Sequence, residues 1–232
     1  MVICLETATN ICSVALCDSA GVISVRESSE LKSHASGLTI FIEELLSENG
    51  IRAVDLDAIA VSKGPGSYTG LRIGVSVAKG ISFAASIPLI AIDTTLSMFW
   101  GIRRTLKNTS ENEGSYLYCP MLDARRMEIY YALYDATGNI VKEVSAEVID
   151  ENSFSNIPVS QKIIFFGDGA TKCKEIIKRG NIYFIDDFKI SASYMYIPVY
   201  RALNASDYED VAYFEPFYLK DFIVTKPRKN IV

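Results

Sequence analysis

Apolar and polar positions change period along this chain, and the changes mark out most of its elements. Val2–Glu6, Ile11–Cys17 and Val22–Val25 are short apolar runs rich in Val, Ile and Cys. Separated by Thr7–Asn10 and by a Ser19–Gly21 turn, they predict a three-stranded meander. From Ser33 the period lengthens. Leu38, Phe41, Ile42, Leu45 and Leu46 recur at helical spacing, and Asn49–Gly50 closes the helix. A strand over Ala58–Val61, a helix from Ser67 and a strand over Pro88–Ile92 follow. Asp93–Thr94–Thr95 then reads as the start of a helix through Leu96–Arg104. Strands alternating with helices after a meander suggest an α/β layer.

The stretch Asp57–Ser86 is the most informative. Its strand passes through Gly64, Pro65 and Gly66 into a helix N-terminus, where free N–H groups and the dipole favour an anion. It is not a P-loop, because the GxxxxGK[ST] form is absent. Two readings fit: a phosphate-binding turn, or a tight strand-to-helix connection with Ser67 as N-cap. Along the helix Gly70, Gly74, Ala78, Ser82 and Ser86 fall four apart, a ridge of small residues that predicts a close neighbour. Leu71, Val75 and Ala78 form one apolar stripe, and Ile73, Val77, Ile81 and Ala84 a second. A helix covering a sheet needs only one, so the other is expected at an interface.

Residues 105–115 are polar and turn-rich, which places a boundary between a lobe of residues 1–105 and a lobe of residues 106–232. The second block repeats the first. At an offset of 117 positions Leu5, Ala15, Leu16, Asp18, Gly21 and Ile23 meet Leu122, Ala132, Leu133, Asp135, Gly138 and Ile140, with Glu6 opposite Asp123. A duplicated meander is therefore expected, with the two carboxylates at equivalent strand ends. Further on, a strand at Lys162–Phe166 turns through Gly167–Asp168–Gly169 into a helix over Ala170–Arg179, and Ile182–Ile185 is a strand. Ala192–Leu203 reads as helix with Pro198 at a kink or in its first turn. The tail from Glu215 reads as an extended, solvated terminus carrying Lys226, Arg228 and Lys229, or as an RNA-contacting arm.

At 232 residues and 49% hydrophobic the chain can bury a large core, and a net charge of −5 argues against a free-standing nucleic-acid binder. The run before Glu6 is too short for a signal peptide or membrane span, so a cytoplasmic protein is expected. The five cysteines Cys4, Cys12, Cys17, Cys119 and Cys173 form no CxxC pair and read as buried thiols. His34 is the only histidine, which leaves no paired-His metal site and makes any His-dependent nucleophile rest on one residue. Glu6, Asp123 and Asp168 either hold Mg²⁺ through water in an inter-lobe cleft or bond their own turns. Arg125 and Arg126 read as solvated charges. No catalytic, cofactor or metal site is expected in this chain alone.

Five segments together resemble one family: LETATNICSVAL, GPGSYTGLRIG, LDARRMEIYYALY, GDGA and PFYLKDF. They are similar, in order and over nearly the whole chain, to the TsaB (YeaZ) family of partner proteins in threonylcarbamoyladenosine synthesis on tRNA, with Glu6 where that family more often has Asp. The resemblance implies an α/β, two-lobed fold of the actin, sugar-kinase and Hsp70 group, built from a duplicated meander plus helices. It also implies kinship with the catalytic paralogue TsaD, whose HxxxH metal ligands correspond here to Thr94 and Met98. Neither residue is competent for that metal. The implied role is a non-catalytic subunit that pairs with a TsaD-like paralogue, with a TsaE-like ATPase and ATP or ADP in the complex and tRNA reached only through it. An ATP-dependent kinase or ATPase and a peptidase remain the alternatives. The expected partner face, also used for a homodimer in isolation, comprises Leu38, Ile42 and Leu45 of the first helix with Gly70, Ile73, Gly74, Val77, Ala78 and Ile81 of the second.

Overall fold

A computed structural model describes residues 1–29, 33–106 and 116–220, with side chains from 37 onward in the first helix. The first half contains β1 (Val2–Glu6), β2 (Cys12–Asp18), β3 (Gly21–Ser28), α1 (Ser33–Glu48), β4 (Ala58–Gly64), α2 (Tyr68–Ala85), β5 (Leu89–Asp93) and α3 (Thr94–Leu106). The second contains β6 (Tyr116–Asp123), β7 (Glu128–Tyr134), β8 (Ile140–Val148), β9 (Lys162–Phe166), α4 (Ala170–Cys173), β10 (Ile182–Ile185) and α5 (Tyr196–Ala205). The boundary expected near residue 105 abuts residues 107–115, which lie outside the described ones.

The sheet orders are β3-β2-β1-β4-β5 and β10-β9-β6-β7-β8, the same order read from opposite edges. In each sheet three antiparallel strands form the meander, and the first of them pairs in parallel with the fourth. The repeat extends to turn chemistry. Asp18 Oδ1 accepts the Ala20 N–H at 2.8 Å, and Asp135 Oδ1 accepts the Thr137 N–H at 2.8 Å, 117 positions on. Two five-stranded sheets of one order, each with its own helices, give a two-lobed α/β fold of the actin, sugar-kinase and Hsp70 kind.

Both faces of the first sheet are buried, which is why β1 and β2 read as continuous apolar runs. Ile3, Leu5, Val14 and Val61 face α1 and α2, while Val2, Cys4, Ala15 and Cys17 face the other way. That other face is covered from the far end of the chain, by Ala192 and Met195 of a 3-10 turn and by Val199 of α5. Reciprocally, Met98, Phe99 and Ile102 of α3 pack on Tyr118, Leu122, Tyr134 and Phe166 of the second sheet. Each half lends a helix to the other. All five cysteines are buried and unpaired.

Two elements depart from expectation. The helix predicted over Ala170–Arg179 stops at Cys173. The chain instead winds through tight turns, with the Ile177 N–H donating to the Cys173 carbonyl, and Ile177 drops into the core of the second sheet. The tail departs as well. Phe214 packs on the first core, and the Phe217 N–H donates to the Lys63 carbonyl at 2.7 Å. Residues 214–220 thus form a docked strap, whereas Lys226, Arg228 and Lys229 lie outside the described residues. Pro198 sits in the first turn of α5, where its missing N–H costs nothing.

Candidate functional site

The glycine turn and α2 form the centre of the candidate site. Ser67 caps α2, its hydroxyl accepting the Gly70 N–H at 3.3 Å, and the Ser67 N–H donates to the Ala8 carbonyl at 2.6 Å. A Cβ on Gly66 would strike Ala8, and one on Gly70 or Gly74 would strike Thr7. The small ridge therefore receives the loop leaving β1, not a second helix. Of the two readings of this segment, the geometry takes the tight connection: the loop after β1 presses on the first turns of α2. The sequence signal was the small-residue run Thr7–Ala8–Thr9, placed after the strand that pairs with β4.

The second half repeats this turn. Gly64 ends β4 and Gly167 directly follows β9, at φ of +121° and +104°, a region that favours glycine. Gly169 presses on Leu122 at the exit of β6 much as Gly66 presses on Ala8 at the exit of β1. Gly64 has a further neighbour, since a Cβ there would stand 2.5 Å from the Phe217 carbonyl oxygen of the strap.

The expected partner face divides on burial. Leu38, Ile42, Leu45, Gly70, Gly74 and Ala78 are buried in the chain's own core. Their apolar character is used by the sheet and by Thr7. Ile73, Val77 and Ile81, one stripe at i, i+4 and i+8 on α2, stay half-open, as do Phe41 and Leu46 of α1. Phe83 is 81% exposed and Ile40 51%. The surface that remains is thus narrower than the sequence implied.

The two duplicated carboxylates have diverged. Glu6 is fully buried; its Oε1 accepts the Ala8 N–H at 2.7 Å and the Ser62 hydroxyl at 2.9 Å, while Oε2 has no hydrogen-bond partner. Burial pushes its carboxyl up to about 7 against these two hydrogen bonds. Asp123 instead lies half-exposed and takes the Lys172 ammonium at 2.5 Å and the Arg125 N–H at 2.8 Å. Asp168 accepts the Asp123 N–H at 3.0 Å. Sequence reasoning missed Ser62 as the partner of Glu6, although the parallel pairing Leu5–Val61 puts the two side by side.

Thr94 and Met98 open α3, both buried, Met98 in the core of the second sheet. The described residues contain no group of three or more His, Cys, Asp or Glu placed to hold a metal ion. The side chain of His34 lies outside the described residues. A small cleft of about 50 Å³ opens among Pro65, Gly66, Tyr68, Tyr130, Tyr218 and Lys220, where the strap crosses between the halves. Among the described residues no helix is long and apolar enough to cross a membrane.

A family model described as TsaD, tRNA N6-adenosine threonylcarbamoyltransferase, matches residues 27–221. The chain is 32% identical to the tRNA threonylcarbamoyladenosine biosynthesis protein TsaB of Escherichia coli, over 60% of this chain and 56% of that protein. It belongs to the family that this model describes. The TsaB protein of Bacillus subtilis is 30% identical over 65% of this chain and 61% of its own length. The chain thus spans rather more than half the length of these TsaB relatives. A Pseudomonas aeruginosa crystal structure, described as similar to peptidase YEAZ, shares the fold with a TM-score of 0.80 at 22% identity. That match covers 94% of this chain and 99% of the other, so the shared fold extends through both halves.

Proposed function

We propose that the chain is a non-catalytic subunit that pairs with a TsaD-type paralogue to form threonylcarbamoyladenosine on tRNA. The observation that carries the reading is the second stripe of α2. Ile73, Val77 and Ile81 stand half-covered on a helix whose first stripe already closes the core. A contiguous apolar surface of this kind is characteristic of a protein interface. The same surface serves for self-association into a dimer when the paralogue is missing.

The chemistry at α3 supports a subunit without its own reaction centre. On this reading Thr94 and Met98 stand where the paralogue has its metal ligands, and both are buried, Met98 in the core of the second sheet. The reading includes a TsaE-like ATPase and ATP or ADP in the assembled complex, in the cytoplasm. A kinase or ATPase reading required Glu6 and Asp123 to face one ligand. Glu6 is sealed beneath the β1 exit loop and Asp123 is held by Lys172, which weighs against that reading.

The test is co-purification and tRNA modification with the paralogue, compared with each protein alone. Val77→Glu and Ile81→Glu, made singly, put an unpaired charge into the packed interface, at a cost of several kcal/mol or roughly 10²-fold or more in affinity. Circular dichroism should be unchanged while the complex and the modification are lost. Variants that fold and still pair at wild-type strength would sink the interface. ATP turnover by the chain alone, lost on Asp123→Ala, would sink the non-catalytic role.

A further inference from the structure

The cleft beneath the strap is rimmed by aromatic rings and cations that the partner face does not use. Tyr68 and Tyr218 stack with centroids 4.7 Å apart. Arg72 lies 5.3 Å over the Tyr68 ring and donates to its hydroxyl at 3.1 Å. Across the cleft stands Tyr130, with Lys220 paired to Glu128 beside it. Burial raises the Tyr130 hydroxyl, and Lys220, Glu128 and Arg125 all lie within electrostatic range of it. Phe217, the ring next to Tyr218 in the strap, is 40% exposed.

The turn after β6 supplies the other cations in an unusual form. Arg125 and Arg126 are both exposed at positive φ, +71° and +49°, uncommon for residues with a side chain. Several contacts hold this turn. Asp123 Oδ1 takes the Arg125 N–H, the Ala124 N–H donates to the Glu128 carbonyl at 3.1 Å, and Lys172 donates to the Arg126 carbonyl at 3.0 Å. Neither guanidinium, nor that of Arg72, has a carboxylate partner among the described residues. The acidic groups nearby are Asp123 and Glu128, already occupied by Lys172 and Lys220, and Glu215 beside Tyr218.

We propose that this mouth is a contact site for single-stranded RNA, its phosphates met by Arg72, Arg125 and Arg126 and a base stacked on the Tyr68–Tyr218 pair. Guanidinium groups that hold phosphate beside ring faces that accept any base are the combination single strands require. The cleft of about 50 Å³ is too small to admit a nucleotide, so the contact is a surface one. With a net charge of −5 on the whole chain the site is local and weak by itself, matching a subunit that meets tRNA only inside a complex. The inference deepens the proposed function and rests on it for the identity of the RNA.

The experiment is fluorescence anisotropy of a short fluorescein-labelled single-stranded RNA of mixed sequence, titrated with the full chain at several salt concentrations. Three phosphate contacts at about 0.7 each give a log–log salt slope of about −2. Arg125→Ala should weaken binding several-fold and reduce that slope by about 0.7. Tyr218→Ala should weaken it about tenfold and leave the slope unchanged. Thermal melts of each variant control for folding. No binding at low salt, variants that bind like wild type, or displacement by polyglutamate as effective as by unlabelled RNA would each overturn the site. Modification by the wild-type chain with its paralogue is read in parallel. If it proceeds while RNA binding is absent, the contact fails and the function stands; if RNA binds through Tyr218 but no complex forms, the function fails and the contact stands.

Discussion

The two halves use one strand plan and differ in what covers it. In the first, α2 is an eighteen-residue helix packed against α1, and the exit of β1 is pressed into its glycines. In the second, α4 has four residues and the exit of β6 is an exposed turn carrying two arginines. The duplicated carboxylates follow suit, Glu6 entombed and Asp123 half-exposed. The contrast teaches that the sheet fixes where a residue stands, whereas the covering layer decides whether it is core, partner surface or solvent contact.

Glycine substitutions test the covering layer most severely. A Cβ at Gly70 would strike the Thr7 backbone carbonyl, which cannot swing away, so Gly70→Ala should cost about 4 kcal/mol or more by chemical denaturation. Gly169→Ala, at the matching turn of the second half, meets Leu122 at 2.8 Å and should cost about 2 kcal/mol. Equal losses would mean that the two turns are packed alike and would erase the contrast.

The carboxylates provide the next test. Below about pH 4.5 Glu6 is protonated in both folded and unfolded chains and has no effect on stability. As pH rises toward about 7 the unfolded chain has lost this proton and the folded one retains it, so stability falls, by about 3 kcal/mol in all. Urea melts of Glu6→Gln between pH 5 and 8 should lack that fall. Asp123→Asn should change stability by less than about 1 kcal/mol, since its ion pair is half-exposed. A larger loss from Asp123→Asn than the whole fall carried by Glu6 would reverse the assignment.

The smallest effect expected is a gain. Gly80 lies on the open side of α2 with nothing within 4 Å of a built Cβ, so Gly80→Ala should raise stability by about 1 kcal/mol through helix propensity alone. A loss there would indicate that this side of α2 is already in contact with a second copy.

Much of this was legible in the sequence because it depends on local rules. The meander, the 117-residue repeat, Ser67 as cap and Pro198 in a first helical turn follow from period, turn chemistry and missing N–H groups. What sequence could not supply was which neighbour fills a gap. The spacing of Gly70, Gly74 and Ala78 announced a close approach correctly, yet a helix and the Thr7 loop leave the same signature on α2. The strap was misread for a related reason: Pro216–Lys220 has no periodicity, and its order comes from Lys63, Glu128 and Tyr68, far away in sequence. Glu6 could be placed at a strand end, but its burial depended on the lid formed by residues 7 and 8.

The exchange of helices between the sheets bears on how the protein is made. A ribosome releases the meander and β4–β5 early, but the face of that sheet bearing Val2, Cys4, Ala15, Cys17 and Ile90 waits for Ala192, Met195 and Val199. Through most of translation an apolar surface with two thiols on it therefore lacks its native cover, the state in which nascent chains attract chaperones and aggregate. A ribosome stalled before α5 would hold a fragment with complete strands and an unfinished interior. Such a fragment is the natural substrate of quality control, and truncation anywhere upstream of residue 205 should yield insoluble product in place of a working first half.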